Sequence, residues 1–173
     1  MWCIRKTKEL EKSPKEIKRQ IEFWFLKYFG KEKEEFDGSE LFTLFDLIDE
    51  TFKNSLSLEM GLNKSELPVL ALKVSDNEII INTTERFIRL SNSVAEYLEY
   101  KDFEYHNGYE SFLATRLPSG KPISVKTDGY TSNFSLRKRD GEIVKWEIPT
   151  GSPGYGFWNV TKKCELIGRK YLK

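Results

Sequence analysis

The chain reads as an α+β protein, with an N-terminal helical hairpin followed by an antiparallel, curled sheet of about seven strands and a C-terminal helix. Three observations predict this. Capped apolar stripes at helical spacing fill the first third. From Pro68 the pattern changes to short runs rich in β-branched residues, separated by turn formers. The last residues return to helical spacing. The change near residue 66 divides the chain into a helical segment, 1–65, and an antiparallel domain, 66–173, which stand apart or form one compact unit.

The first helix starts at Ser13-Pro14-Lys15-Glu16. Serine caps, proline is preorganised at the first helical position, and glutamate three residues after the cap closes a capping box. Ile17, Ile21, Trp24, Phe25, Tyr28 and Phe29 follow three-four spacing, and Gly30 supplies a left-handed exit. The aromatic stripe faces either the sheet or a second copy of the chain, which would make a dimer. Asp37-Gly38-Ser39-Glu40 resembles a second cap, and Leu41, Leu44, Phe45, Ile48 and Phe52 predict a second helix to about Lys53. Asp46, Asp49 and Glu50 fall within one turn of it. Without a histidine or a glycine-shaped loop they read as a solvated acidic face, so no metal is expected.

VLALKVS, EIIINTT and RFIRLS then read as successive strands. EYLEYKDFEY, YESFLATRL, PISVKTD, YTSNFSLRKR and EIVKWEI are further candidates. Asp140-Gly141 is the strongest hairpin signal, a tight turn predicted to place both residues at positive φ. The stretch PTGSPGYGFWNVTKKC, Pro149 to Cys164, reads as the bend that delivers the last strand into a final helix carrying Cys164, Ile167 and Tyr171. Phe157 and Trp158 would seat that helix. Its glycines fit neither phosphate-binding spacing, and no cofactor is expected.

Glu78 to Ser91 and Leu136 to Val160 resemble the second and third strands, and the last hairpin with its entry to the helix, of bacterial pleckstrin-homology-like domains. The likeness spans about residues 66–173. It implies a curled pair of near-orthogonal sheets, or barrel, capped by the C-terminal helix. It also implies a binding role toward lipid headgroups, peptides or partner domains, with catalysis rare. Lipid-binding members use a basic loop between the first two strands; here that loop reads Ser75-Asp76-Asn77-Glu78, so phosphoinositide binding is not expected.

Composition narrows function further. Aromatic residues make up 14% and charged residues 32% of the chain, which excludes disorder. With 28 basic and 27 acidic residues the net charge is +1, so the basic excess of a dedicated nucleic-acid binder is missing. No stretch is long and apolar enough to span a bilayer, and no apolar signal segment follows the first basic residues; a cytoplasmic location is expected, with Cys3 and Cys164 as free thiols. The main expectation is a non-catalytic module that binds another protein, of the bacterial immunity or regulatory-partner type. Tyr155 and Trp158 are its aromatic candidates. The alternative is nucleic-acid binding through Arg137, Lys138 and Arg139 with the C-terminal helix, Tyr155 or Trp158 stacking bases. A further alternative is an enzyme with an unsignalled site. Its best lead is the lone histidine, His106, read in a His-Asn-Gly turn near Asp102 and Glu104.

Overall fold

The structure, a computed structural model, describes residues 11–172. Helix α1 (Pro14–Phe29) forms as its caps dictate. Ser13 Oγ accepts from Glu16 N–H, the Glu16 carboxylate accepts from Ser13 N–H at 2.8 Å, and Gly30 ends the helix at φ 63°. Ile17, Ile21, Trp24 and Phe25 are buried.

The helix predicted to start near Leu41 does not form there. Phe42–Leu44 is strand β1, Phe45–Leu47 is a 3₁₀ turn, and helix α2 runs Glu50–Met60, capped by Asp49. The expected helical hairpin is thus replaced by a strand that pairs antiparallel with β2 (Pro68–Ser75), Phe42 opposite Leu72 and Leu44 opposite Leu70. All three β1 residues are buried, so their apolar spacing carries no strand period.

Strands β3 (Glu78–Thr83), β4 (Arg86–Ser91) and β5 (Val94–Glu99) complete a five-stranded antiparallel sheet in the order β1-β2-β3-β4-β5. Strands β6 (Phe103–Tyr109), β7 (Thr131–Lys138) and β8 (Ile143–Pro149) form a second, three-stranded antiparallel sheet. The architecture is α+β with two separate sheets of five and three strands, and among the described residues the strands close no barrel. EYLEYKDFEY is therefore two strands in different sheets. Buried Tyr100 sits at the crossing, its hydroxyl donating to Thr83 O at 2.8 Å and accepting from Asn82 Nδ2 at 3.2 Å.

Turn chemistry also departs from expectation. Only Gly141 takes a positive φ, 94°, in the β7–β8 turn, where Gly141 N–H donates to Lys138 O and Lys138 N–H to Glu142 O. That is a three-residue turn with glycine in the left-handed slot. The two-residue turn with both residues at positive φ is Asn92-Ser93, at 48° and 65°.

Two helices close the chain: α3 (Ser152–Thr161) and α4 (Cys164–Tyr171). The segment predicted as a bend is itself α3, despite Gly154 and Gly156. Both are required by close approach: a Cβ at Gly154 would overlap the Pro149 carbonyl and the Tyr109 hydroxyl, and one at Gly156 would press on Phe29. Phe157 is fully buried, as the plug reading predicted.

The larger core lies between one face of the five-stranded sheet and α1, the three-stranded sheet, α3 and α4, with Leu70, Ile80, Phe87, Phe134, Trp146 and Phe157 among its members. The opposite face carries a second core under α2, including Leu56, Met60, Ile79, Ile81, Ile88 and Leu90. Cys164 is buried in the first core as a free thiol, and burial pushes its pKa up to about 12. Cys3 lies outside the described residues. Among the described residues no helix is long and apolar enough to cross a membrane.

One buried ion pair fastens the end of α2 to the sheet. Glu66 accepts from Arg86 Nε at 3.0 Å and Nη2 at 2.9 Å, from Thr83 Oγ1 at 2.6 Å and from Asn63 N–H at 2.9 Å, while Arg86 Nη2 also donates to Gly61 O at 2.7 Å. Such a pair is costly to break from one side because the remaining charge stays buried. Glu66→Gln is expected to lose about 3 kcal/mol or more in denaturant unfolding. The double variant Glu66→Leu/Arg86→Met is expected to lose less than the two single changes together; additive losses would show that the two groups are not coupled.

Candidate binding surface

Strands β6 and β7 are joined by residues 110–130, which form no helix or strand. Connections of this length are uncommon and are usually functional or disordered. This one is tied down. Val125 N–H donates to Phe112 O at 3.0 Å, Ala114 N–H to Ile123 O at 2.7 Å and Thr115 N–H to Thr131 O at 2.9 Å. On its return leg, Gly151 N–H donates to Val125 O, and Asp128 accepts from Ser152 N–H at 2.6 Å at the start of α3. Ala114 and Val125 point inward and are buried. Two predicted strands, YESFLATRL and PISVKTD, fall here and reduce to a single bridge between Leu113 and Ser124. Pro118, Gly120 and Pro122 interrupt the ladder, and they are the sequence signal that marks this segment as a loop.

The loop displays several large apolar side chains. Phe112 is 88% exposed, and Leu113 and Leu117 are exposed as well. From Ser111 to Thr127 there are three bases, Arg116, Lys121 and Lys126, and no acid. Arg116 pairs with Glu147 at 2.9 Å; Lys121 and Lys126 have no carboxylate partner among the described residues. A cleft of about 350 Å³ opens at the loop's root, walled by Phe29, Phe36, Leu41, Phe42 and Pro153. Past Leu41 and Gly129 it meets a smaller recess lined by Arg116, Val74 and Tyr130. Arg116 therefore joins loop and cleft into one surface.

The aromatic candidates come together elsewhere. Tyr155 and Trp158 stack on α3 with ring centroids 6.1 Å apart and planes 19° from parallel. Trp158 lies over Gly108, where any Cβ would overlap the indole, and Tyr109 meets it edge-on. Tyr109 donates to Pro149 O at 2.6 Å, and burial raises its pKa. This half-buried stack seats α3 on β6.

Arg137, Lys138 and Arg139 lie at the far end of the β7–β8 hairpin, and each faces a carboxylate. Arg137 pairs with Glu104 at 3.1 Å, Lys138 with Glu142, and Arg139 with Glu165 at 3.2 Å. Glu165 also holds Arg169 at 3.0 Å. The end of the hairpin thus carries alternating charge. The acidic trio on the N-terminal side is dispersed too. Asp46 pairs with Lys18 at 2.8 Å, Asp49 caps α2, and Glu50 pairs with Lys53 at 2.6 Å. Among the described residues no group of three acidic, histidine or cysteine side chains is placed to hold a metal.

His106 is not in a turn. It lies within β6, buried, with Phe87, Phe103, Phe134 and Phe157 edge-on around it. Thr161 donates its hydroxyl hydrogen to Phe157 O at 2.6 Å, so at the 3.0 Å contact between Thr161 Oγ1 and His106 Nε2 the imidazole must be the donor. Nδ1 is then the bare nitrogen, and it is buried without a partner. Burial, with a smaller contribution from Lys162, pulls the pKa down to about 3.

No family profile matches the chain, and searches of curated proteins and of solved structures return no match.

The buried imidazole sets an acid limit on the fold. Above pH 6.5 folded and unfolded chains both hold it neutral, and stability does not depend on it. Between 6.5 and about 3 the unfolded chain takes up a proton that the folded chain refuses, so stability falls as pH drops. The expected slope from pH 6 to 5 approaches one proton, roughly 1.4 kcal/mol per pH unit. Urea midpoints should show this slope in the wild type and a flatter one in His106→Gln; equal slopes would place the titration elsewhere.

Proposed function

We propose that the chain is a non-catalytic binding module that engages another protein through the loop from Ser111 to Thr127 and the cleft at its root. One observation carries the reading: Phe112, 88% exposed, stands on a loop whose backbone is tied at both legs. A large aromatic held in water by an ordered scaffold is a preformed anchor. Such anchors supply a disproportionate share of binding energy because little ordering entropy is lost on docking. Leu113, Leu117 and Leu41 extend the apolar centre, while Lys121 and Lys126 supply a charged rim. The partner this surface fits offers an apolar recess ringed by carboxylates. The likeness of Glu78–Ser91 and Leu136–Val160 to pleckstrin-homology-like domains points the same way, since such domains usually bind peptides or partner domains. A small regulatory or immunity-type partner protein has this profile.

The test uses the full chain as bait in extracts of its native cell, beside Phe112→Asp and Lys121→Glu/Lys126→Glu. A stoichiometric partner should co-purify with the wild type. Phe112→Asp should weaken binding by roughly 30-fold or more, equivalent to about 2 kcal/mol, with the melting temperature unchanged. The double charge reversal should weaken it less and flatten its salt dependence. A partner retained in full by Phe112→Asp would place the interface elsewhere.

A further inference from the structure

The face of the five-stranded sheet that carries α2 is not fully covered. Beside α2 a groove remains between the helix and the ends of β2, β3 and β4. At its C-terminal end α2 seals well: Met60 is buried among the residues of the second core. Toward its N-terminal end, Phe52, Leu56, Ile79 and Leu90 floor a groove of about 430 Å³. The outer rim is made by two hairpin turns, Asp76-Asn77 and Asn92-Ser93. Asn92 N–H donates to Asn77 O at 3.2 Å, so the two turns form one edge.

The rim of this groove carries charges of both signs. Lys73 lies 5.9 Å from the centre of the Phe52 ring, with no carboxylate within ion-pair reach among the described residues. Asp76 and Glu59, which line the same groove, have no cationic partner among those residues. Glu78 is the exception; Arg89 holds it at 2.8 Å. An apolar floor therefore lies beneath one free cation and two free carboxylates.

We propose that this groove binds a free α-amino acid with an aromatic or branched apolar side chain. The side chain would lie on Phe52, Leu56, Ile79 and Leu90, the carboxylate would face Lys73, and the ammonium would face Asp76 with Glu59 across the groove. The volume is at the lower end of small-molecule pockets, which suits an amino acid better than a nucleotide. Rim charges of both signs select a zwitterion over a fatty acid or an amine, since each of those leaves one rim charge opposed or unmet. The site is on a different face from the loop and does not rest on the protein-binding reading.

The probe set is L-tryptophan and L-leucine, with 3-indolepropionate, which lacks the ammonium, and tryptamine, which lacks the carboxylate. Amide chemical shifts of the full chain are followed during titration. Tryptophan should shift residues 52–59, 73–79 and 90–93, and each truncated analogue should bind roughly tenfold more weakly, about 1.4 kcal/mol. Lys73→Met should abolish the preference for tryptophan over tryptamine, and Asp76→Asn the preference over indolepropionate. Ser55→Trp, on the exposed part of α2, should fill the groove and block binding while the melting temperature holds. No shifts in these segments at about 10 mM ligand, weaker than any useful affinity, would overturn the proposal. So would equal binding of all three indoles, which would mark a merely apolar groove.

Discussion

A sheet that is apolar on both faces is unstable until both are covered, and in this chain that requirement organises everything else. Strands β2, β3 and β4 carry near-continuous buried runs, with Leu70, Leu72, Ile80 and Phe87 on one side and Ala71, Ile79, Ile81 and Ile88 on the other. Antiparallel sheets commonly leave one face to water, but this one does not. Burial of each such side chain contributes about 1.5–3 kcal/mol, so leaving either face bare would cost more than the whole stability of a typical domain. The larger face recruits α1, the second sheet and both C-terminal helices. The smaller face is covered by α2 together with Phe45 and Ile48 of the segment before it, and the buried Glu66–Arg86 pair pins the segment that follows α2.

Covering the larger face demands unusually close packing, which explains the composition of α3. Two glycines in a ten-residue helix weaken it by about 1 kcal/mol each relative to alanine. They are retained because the helix axis must come close to Pro149 and Phe29 for Phe157 to reach the centre of the core. There Phe157 meets Phe42, Phe87, His106 and Phe134 edge-on, so one side chain links both sheets. His106 shares that centre, and its unprotonated nitrogen is tolerated only because the imidazole stays neutral.

What was legible in the sequence follows from the range over which each signal acts. The ends of α1 are written by Ser13, Pro14, Glu16 and Gly30, all within a turn of the bonds they make, and they are read without error. Leu41 to Phe52 was misread because helical spacing and a strand buried on both sides look alike when apolar residues are dense; only the pairing of Phe42 with Leu72, 30 positions away, decides the matter. Leu113 and Ile123 have the propensity of strands, but their segments meet only at the Leu113–Ser124 bridge, because Pro118 and Pro122 outweigh them. The glycines of α3 signalled a bend because close approach to a distant carbonyl leaves no local trace. Of the surface now in view, the aromatic character was legible but its address was not. Tyr155 and Trp158 turned inward to seat a helix, while Phe112, in a segment read as strand, stands in water.

The charges complete the argument. With 28 bases and 27 acids the chain is almost neutral, and many of its described charges lie in local pairs such as Arg137–Glu104, Arg139–Glu165 and Lys145–Glu110. Beyond a Debye length of about 8 Å at physiological salt, such pairs present almost no field. Long-range steering of a polyanion is therefore weak, and recognition by this chain must rest on short-range contact, where desolvated apolar surface dominates and a few unpaired charges set orientation. Such surface occurs on the loop that leaves the second sheet and in the groove beside α2.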